Sequence, residues 1–186
     1  MGAVVLRFAM NDPKVSVLKD KFHVFISIAG PHLGSTGSDS TLVGIGQWAL
    51  TKWKKIKSLS QLGLEDETLL ELSESSTVLS NFKTIVLISS ADDSYVPSFS
   101  ARMEVPSGNR NPIIELMQRN LYEMALSKVP QISKVEMSFE FNSSIRKRSV
   151  RERVDTLLGR AAHIQILDSL PLTLTLLLIF GEEWFD

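Results

Sequence analysis

The chain has 186 residues, which is the length of one domain and enough to bury a sizeable core. Hydrophobic residues make up 44% and charged residues 22%, a composition typical of a folded globular protein. The formal net charge of −1 gives no electrostatic reason to expect nucleic-acid binding. The chain has no cysteine, which excludes disulfides and thiolate catalysis, and its 3 histidines lack the spacing of a helical zinc motif. We therefore expect neither a metal nor another cofactor.

Two features bear on the membrane and on localisation. The N-terminal residues lack the charged and apolar regions of a signal peptide. The longest apolar stretch, residues 170–180, contains a proline and reaches only about half of a membrane span. The sequence therefore predicts a cytoplasmic protein without a transmembrane segment.

In the first part of the chain, predicted helices alternate with a predicted strand. Residues 2–9 are apolar at helical spacing, and Pro13 ends any helix there. Residues 23–28 predict a short buried strand, which a loop rich in Gly, Ser and Thr follows. Residues 42–55 predict an amphipathic helix with lysines at its C-terminal end, and residues 65–74 predict another short helix.

The second part predicts two more strands. Residues 84–90 are dense in branched apolar side chains, which indicates a strand covered on both faces. A helix is predicted over residues 111–126, with Pro112 at a plausible first position. Residues 134–141 alternate strictly between polar and apolar side chains, as in a strand with one face on the core. The basic run at residues 145–153 is interpreted as a solvated loop rather than a membrane or nuclear-import contact. Strands alternating with helices predict an α/β fold, a parallel sheet flanked by helices.

Three loops follow the carboxyl ends of the predicted strands, the edge at which open α/β sheets place their sites. They are GPHLG after Ile28, ADDSYVP after Ile88, and GRAAHI after the strand that ends near Phe141. In this order they supply a histidine, an acid and a second histidine. In α/β-hydrolases the triad runs nucleophile, acid, histidine along the chain, and the order of these loops fits.

The flanks of these loops resemble a serine esterase family in the lipase-like branch of the α/β-hydrolases, in particular a eukaryotic group of large proteins that carry this domain at their C-termini. The matching stretches are FISIAGPHLGS, TLVGIGQWALTKWKKIKSLSQL, NFKTIVLISSADDSYVPSFSARME and DTLLGRAAHIQILD. The resemblance implies that residues 1–186 are the C-terminal part of a single α/β-hydrolase domain without its N-terminal strands. It implies hydrolysis of small-molecule or lipid-like carboxylic esters through an acyl-serine intermediate.

The motif that carries the nucleophile in this fold, G-x-S-x-G, does not occur in the sequence. In the resembling family the serine is followed by an apolar residue, a glycine and a helix, which residues 1–7 match. The resemblance therefore implies that the chain begins just after the nucleophile. It places the backbone N–H of Met1 in the oxyanion hole, and it implies that this chain by itself is inactive.

Two residues are candidates for the rest of a triad. Asp93 is either the triad acid or a loop acid that caps the following turn, with Asp92 as the second candidate for the acid. His163 is either the general base or a capped or core histidine. In both cases the resemblance favours the catalytic role, and it predicts that Asp93 and His163 approach within hydrogen-bonding distance.

The histidine of the first of the three loops, His32, stands in a loop that Pro31 stiffens and Gly34 ends. No carboxylate lies near it in the sequence, and the resemblance assigns the base to the later histidine. We interpret His32 as a residue that organises the loop or lines the pocket. A second class of function also stays open: a catalytically silent α/β-hydrolase remnant that acts as a binding or interaction module. The sequence ahead of Met1 would distinguish the two.

Overall fold

The computed structural model describes residues 2–34, 66–93, 96–138, 164–166 and 168–185. Three strands and several helices lie in these ranges. The strands are β1 (Val24–Ile28), β2 (Thr84–Ser90) and β3 (Gln131–Met137). The helices are α1 (Gly2–Met10), α2 (Pro13–Ser16), α3 (Asp66–Glu74), α4 (Ser98–Ala101), α5 (Pro112–Met124) and α6 (Leu170–Phe185), with short 3₁₀ helices at Lys19–Lys21, Ser76–Asn81 and Leu126–Lys128. The predicted helix at 42–55 and the basic run at 145–153 lie outside the described residues.

The three strands form one parallel sheet in the order β1-β2-β3. This confirms the predicted α/β fold, including the pairing of the first two strands. The third strand begins earlier than the predicted start at residue 134, since Gln131 already lies opposite Thr84. Pro130 has no N–H to donate, so the ladder starts one residue later, where the Gln131 N–H donates to the Lys83 carbonyl at 3.2 Å.

Burial along the strands follows their position in the sheet. All seven residues of the central strand β2 are buried, which confirms the prediction of cover on both faces. In β3 the predicted alternation holds as far as the strand is described: Lys134 and Glu136 are exposed, whereas Val135 and Met137 are half-buried against the core. Residues 139–141 of the predicted strand lie outside the described residues. β1 lies at one edge of the sheet that the described strands form.

Two hydrophobic cores cover the two faces of the sheet. One face carries α1, α3 and α5, which contribute among others Val4, Leu69, Leu72, Ile114 and Met117 to a cluster with Phe25, Ile85 and Leu87. Such an arrangement is expected when consecutive parallel strands are joined by right-handed crossovers that progress in one direction across the sheet, because both connections then lie on the same face. The opposite face packs against α6 through Leu172 and Leu176, which cluster with Val86 and Ile88.

Local sequence explains where the long helices begin and which face they bury. The Asn111 side chain accepts a hydrogen bond from the Ile113 N–H at 2.9 Å, and Pro112 occupies the first turn of α5, as predicted. Its buried residues Ile114, Met117 and Leu121 recur at helical spacing. No helix was predicted for the apolar stretch that forms α6. Within the described ranges, no helix combines the length and the apolar character that crossing a bilayer requires.

Candidate active site

The loop after β1, residues 29–34, is buried throughout, although it lies at the carboxyl edge of the sheet. Ala29 has a φ of 47° and Gly34 a φ of 80°. A positive φ costs glycine little, whereas for alanine it costs on the order of 1 kcal/mol. The surrounding structure therefore imposes the conformation of Ala29. Its N–H donates to the Ile88 carbonyl at 2.9 Å, which continues the ladder past the end of β1.

Gly30 brings this loop into close contact with α1. A Cβ atom on Gly30 would overlap the Ser27 hydroxyl, lie 2.7 Å from His32 Nε2 and come within 3.1 Å of Ala3 Cβ. These neighbours belong to β1, to the loop itself and to the first turn of α1. Only a glycine fits at this position, and the loop therefore runs directly against the N-terminal turn of α1.

His32 is fully buried, and both of its ring nitrogens are hydrogen-bonded. Nε2 lies 2.7 Å from Ser27 Oγ, and Nδ1 lies 3.2 Å from Arg7 Nη1. A guanidinium can only donate, so Nδ1 accepts, and the ring proton of the neutral imidazole is on Nε2 and is donated to Ser27. Burial, and then the positive charge of Arg7, hold the pKa of His32 well below its ordinary value. The ring is therefore neutral at pH 7.

Arg7 extends this network to the C-terminal end of α3. Its Nη2 donates to Ser76 Oγ at 2.6 Å and to the Leu72 carbonyl at 3.4 Å, and the Ser76 hydroxyl in turn donates to the same carbonyl. Burial lowers the pKa of Arg7 to about 9, so that the side chain is still a cation at neutral pH. No carboxylate of the described residues forms an ion pair with it, and Nε has no hydrogen-bond partner there. A buried charge in such surroundings carries a desolvation cost of several kcal/mol.

The loop after β2 contains the two candidate acids, and their environments differ. Asp93 is 6% exposed, whereas Asp92 is exposed. Asp93 Oδ1 accepts a hydrogen bond from the Val96 N–H at 3.1 Å, and the Asp93 N–H faces the Ser90 carbonyl at 3.4 Å. The first contact is the turn-capping interaction of a loop acid. A carboxylate has two oxygens and several lone pairs, so this contact is compatible with a further hydrogen bond to an imidazole.

A direct hydrogen bond joins the two loops. The Leu33 N–H donates to Ser100 Oγ at 3.0 Å, and Ser100 belongs to α4, the helix that follows the Asp93 loop. Both residues are fully buried. The structure thus brings the segments of His32 and Asp93 together at the carboxyl edge of the sheet.

The remaining predicted site residues, His163 and Met1, lie outside the described residues, and the predicted approach of Asp93 to His163 stays a prediction. Among the described residues, Ile166 is the first buried residue after His163 in the sequence, and it belongs to the same cluster as Ala29 and Ile88. Among the described residues, no group of three or more His, Asp or Glu side chains is placed to hold a metal ion.

Arg7 and Ser27 were not among the residues predicted from the sequence. Their positions in the sequence contain a signal that could have identified them. Val4, Arg7 and Met10 recur at a spacing of three in α1 and are its buried residues. A lone arginine on the apolar stripe of a helix indicates a buried cation. Ser27 lies two residues after the buried Phe25 and therefore on the same face of β1, where an apolar residue would be expected.

A parallel sheet with polar residues on the loops after its strands is the arrangement of α/β enzymes, which bind their ligands at that edge. A family model described as "Putative serine esterase (DUF676)" matches residues 1–105, more than half of the chain. The chain therefore belongs to this family, which confirms the resemblance to a serine esterase and supports a general esterase function. No solved structure gave a significant match.

Proposed function

We propose that this chain contributes the acid and the base of a serine esterase triad, Asp93 and His163, while the nucleophile serine lies upstream of Met1. In this proposal residues 1–186 form the C-terminal part of a single α/β-hydrolase domain. The absence of G-x-S-x-G from residues 1–186 supports a nucleophile outside them.

The observation that carries the proposal is the burial of Asp93 at the carboxyl edge of β2. Its loop is tied to the loop of His32 through Ser100. Ile166, three residues beyond His163 in the sequence, is buried in the cluster that also contains Ala29 and Ile88, at the end of β1 and in β2. The proposal requires His163 to lie near the same edge. The exposed Asp92 is the weaker candidate for the acid, because a triad acid acts from a buried position.

The proposed mechanism assigns one task to each group. His163 takes the proton of the attacking serine and later donates it to the leaving alkoxide. Asp93 orients the imidazole and stabilises its charged form. The backbone N–H of Met1 donates to the oxyanion of the tetrahedral intermediate. His32, Pro31 and Gly34 shape the loop beside this site, and His32 takes no part in proton transfer. The substrate is an ester with an apolar acyl chain.

The test compares labelling by a fluorophosphonate probe in two proteins: residues 1–186, and the same chain extended upstream through a Gly-x-Ser turn. The short chain is expected to stay unlabelled, because it holds no serine in the required turn. The extended chain is expected to be labelled and to hydrolyse p-nitrophenyl esters. Hydrolysis of the butyrate but not of longer acyl esters would contradict the proposed lipid-like substrate.

Substitutions in the extended chain test the roles of the two residues. Asp93→Asn should lower kcat on the order of 10⁴-fold and His163→Ala on the order of 10⁶-fold, as for other triads. Asp92→Asn is the matched control, and its activity should stay close to that of the unsubstituted chain. A larger loss with Asp92→Asn than with Asp93→Asn would show that the acid is misassigned.

The second candidate function is a binding module without catalysis. The observation that favours it is the capping contact of Asp93 with Val96, since a loop acid with a structural task has the same contact. A folded extended chain that binds apolar esters but is neither labelled nor active would establish this alternative.

A further inference from the structure

Arg7 is a buried cation on an otherwise apolar helix face, between Val4 and Met10, and the described carboxylates do not pair with it. An apolar side chain of similar length would fill this space without a charge to desolvate. We propose that Arg7 is a positioning residue of the candidate active site: through His32 it fixes the loop of residues 29–34 against the first turn of α1. The inference rests on the proposed function, in which that turn carries the oxyanion donor.

The first step of the argument concerns the tautomer of His32. A serine hydroxyl both donates and accepts, so Ser27 alone permits a proton on either ring nitrogen of His32. Arg7 only donates, and its Nη1 lies 3.2 Å from Nδ1. Arg7 therefore decides the tautomer, with Nδ1 as the acceptor and Nε2–H as the donor to Ser27 at 2.7 Å.

The second step links the ring to the loop. The His32 N–H donates to the Gly30 carbonyl at 2.9 Å, and a Cβ on Gly30 would lie 2.7 Å from His32 Nε2 and 3.1 Å from Ala3 Cβ. A rotated or doubly protonated ring would no longer offer Nδ1 as the acceptor for Arg7, and the doubly protonated ring would also place a second positive charge next to Arg7. Since the space between Gly30, the ring and Ala3 does not admit even a Cβ, the position of the ring sets the position of the loop relative to α1.

The third step concerns what holds Arg7 itself. Its second terminal nitrogen, Nη2, is bound to Ser76 Oγ and to the Leu72 carbonyl, at the end of α3 and the start of the next 3₁₀ helix. The guanidinium thus has one end on the α3 segment and the other on His32. A planar group bound at both ends cannot turn without breaking one of these contacts.

The direct test is nitrogen NMR of the imidazole rings in the 186-residue chain. We expect Nδ1 of His32 to give the shift of an unprotonated nitrogen and Nε2 that of a protonated one. The opposite tautomer in the unsubstituted chain would overturn the proposal. This measurement needs no substitution, so it decides the point even where a variant at Arg7 does not fold.

The second measurement compares Arg7→Met with Arg119→Met, a matched control at an exposed position of α5. In R7M we expect a mixture of His32 tautomers and amide exchange at His32 and Leu33 that is faster by about tenfold or more. In R119M both should stay as in the unsubstituted chain. Unchanged exchange in a folded R7M would also overturn the proposal.

The activity measurement separates this inference from the proposed function. In the extended chain with its nucleophile turn, R7M should lower kcat by about tenfold or more with little change in KM, because misplacing a catalytic group by a fraction of an ångström has effects of this size. An inactive unsubstituted chain would contradict the proposed function, while the two NMR measurements still decide the role of Arg7. An active chain in which R7M leaves kcat unchanged would overturn the positioning role.

Discussion

Gly30 is the residue at which three segments of the candidate site come closest together. Replacing it with alanine would force a methyl group into the space held by Ser27 and His32, both of them buried and bonded to each other. We expect Gly30→Ala to lower the free energy of unfolding by about 1–3 kcal/mol, the usual cost of overpacking a tight interior. Urea unfolding followed by circular dichroism measures this change.

The control for this substitution is Gly2→Ala. Gly2 is the first residue of α1, and a Cβ there would meet nothing within 4 Å. Its stability should change by no more than about 0.5 kcal/mol, as at ordinary surface positions. Equal effects of the two substitutions would show that the narrow space around Gly30 does not constrain the loop.

His32 makes the stability of the protein dependent on pH. Arg7 is a charged group in contact with it, and Ser27 and the Phe25 ring also lie against it. Burial, the charge of Arg7 and the charge of the N-terminus all lower the pKa of His32. The pKa of His32 in the folded state is lowered from 6.5, so below that pH the unfolded chain binds a proton that the folded chain does not. The stabilising contribution is therefore fully present above pH 6.5 and is lost as the pH falls toward the lowered pKa, with a slope of up to about 1.4 kcal/mol per pH unit.

This prediction is checked with the free energy of unfolding in urea at several pH values between 7.5 and 5. The slope of the free energy of unfolding against pH should be smaller in His32→Asn by up to about 1.4 kcal/mol per pH unit, the contribution of one proton, because the titrating ring is gone. The comparison uses slopes, so a general loss of stability in the variant does not affect it. Parallel curves for the two proteins would contradict the neutral, buried state of His32.

At the scale of elements, α6 covers one face of the sheet together with the preceding Ile166. Leu176 is 8% exposed and packs into the cluster with Val86 and Ile88, whereas Leu178 on the same helix is 81% exposed. We expect Leu176→Ala to lower the free energy of unfolding by about 2–4 kcal/mol through the cavity it leaves. Leu178→Ala should change it by less than about 0.5 kcal/mol. Thermal and urea unfolding of the two variants measure the difference.

The same helix, α6, was not predicted from the sequence, whereas other elements were. The strands β1 and β2 and the helix α5 were predicted because short branched runs, and an Asn-Pro start followed by apolar residues at helical spacing, are local signals. The apolar stretch of α6 has no single polar face, so its periodicity gave no helix, and only packing against Val86 and Ile88 shows its role. The strand β3 was predicted to start later than it does for a similar reason, because the local sequence pattern does not reveal that Gln131 pairs with Thr84.

For the candidate site, the sequence predicted the loops but not the network behind one of them. The motifs of Asp93 and His32 are short and contiguous, and they could be compared with a family. The contact of Arg7 with His32 joins residues 25 positions apart, and that of Arg7 with Ser76 joins residues 69 apart. Such long-range contacts depend on the packing of α1 against the sheet, which no local pattern specifies.

At the scale of the whole molecule, β1 is the strand at one edge of the sheet formed by the described residues. An edge strand with apolar side chains invites pairing with another chain. We expect residues 1–186 to associate as the concentration rises, measured by light scattering. Extension through an upstream strand should reduce this association and slow amide exchange at Ile26 by pairing its edge. Exchange at Ile26 that is equally slow in both proteins would contradict the open edge.

The distribution of the helices over the two faces also has a consequence for synthesis on the ribosome. The face covered by α1, α3 and α5 can close once residue 137 and the strands before it have left the exit tunnel, because all of its helices precede β3. The other face, with Val86, Ile88 and Ala29, can be covered only after Leu172 and Leu176 have been synthesised. Since synthesis proceeds at roughly 5–20 residues per second, this apolar surface stays uncovered for several seconds in each nascent chain. A nascent chain is therefore most exposed to chaperones on this face, before its last helix arrives.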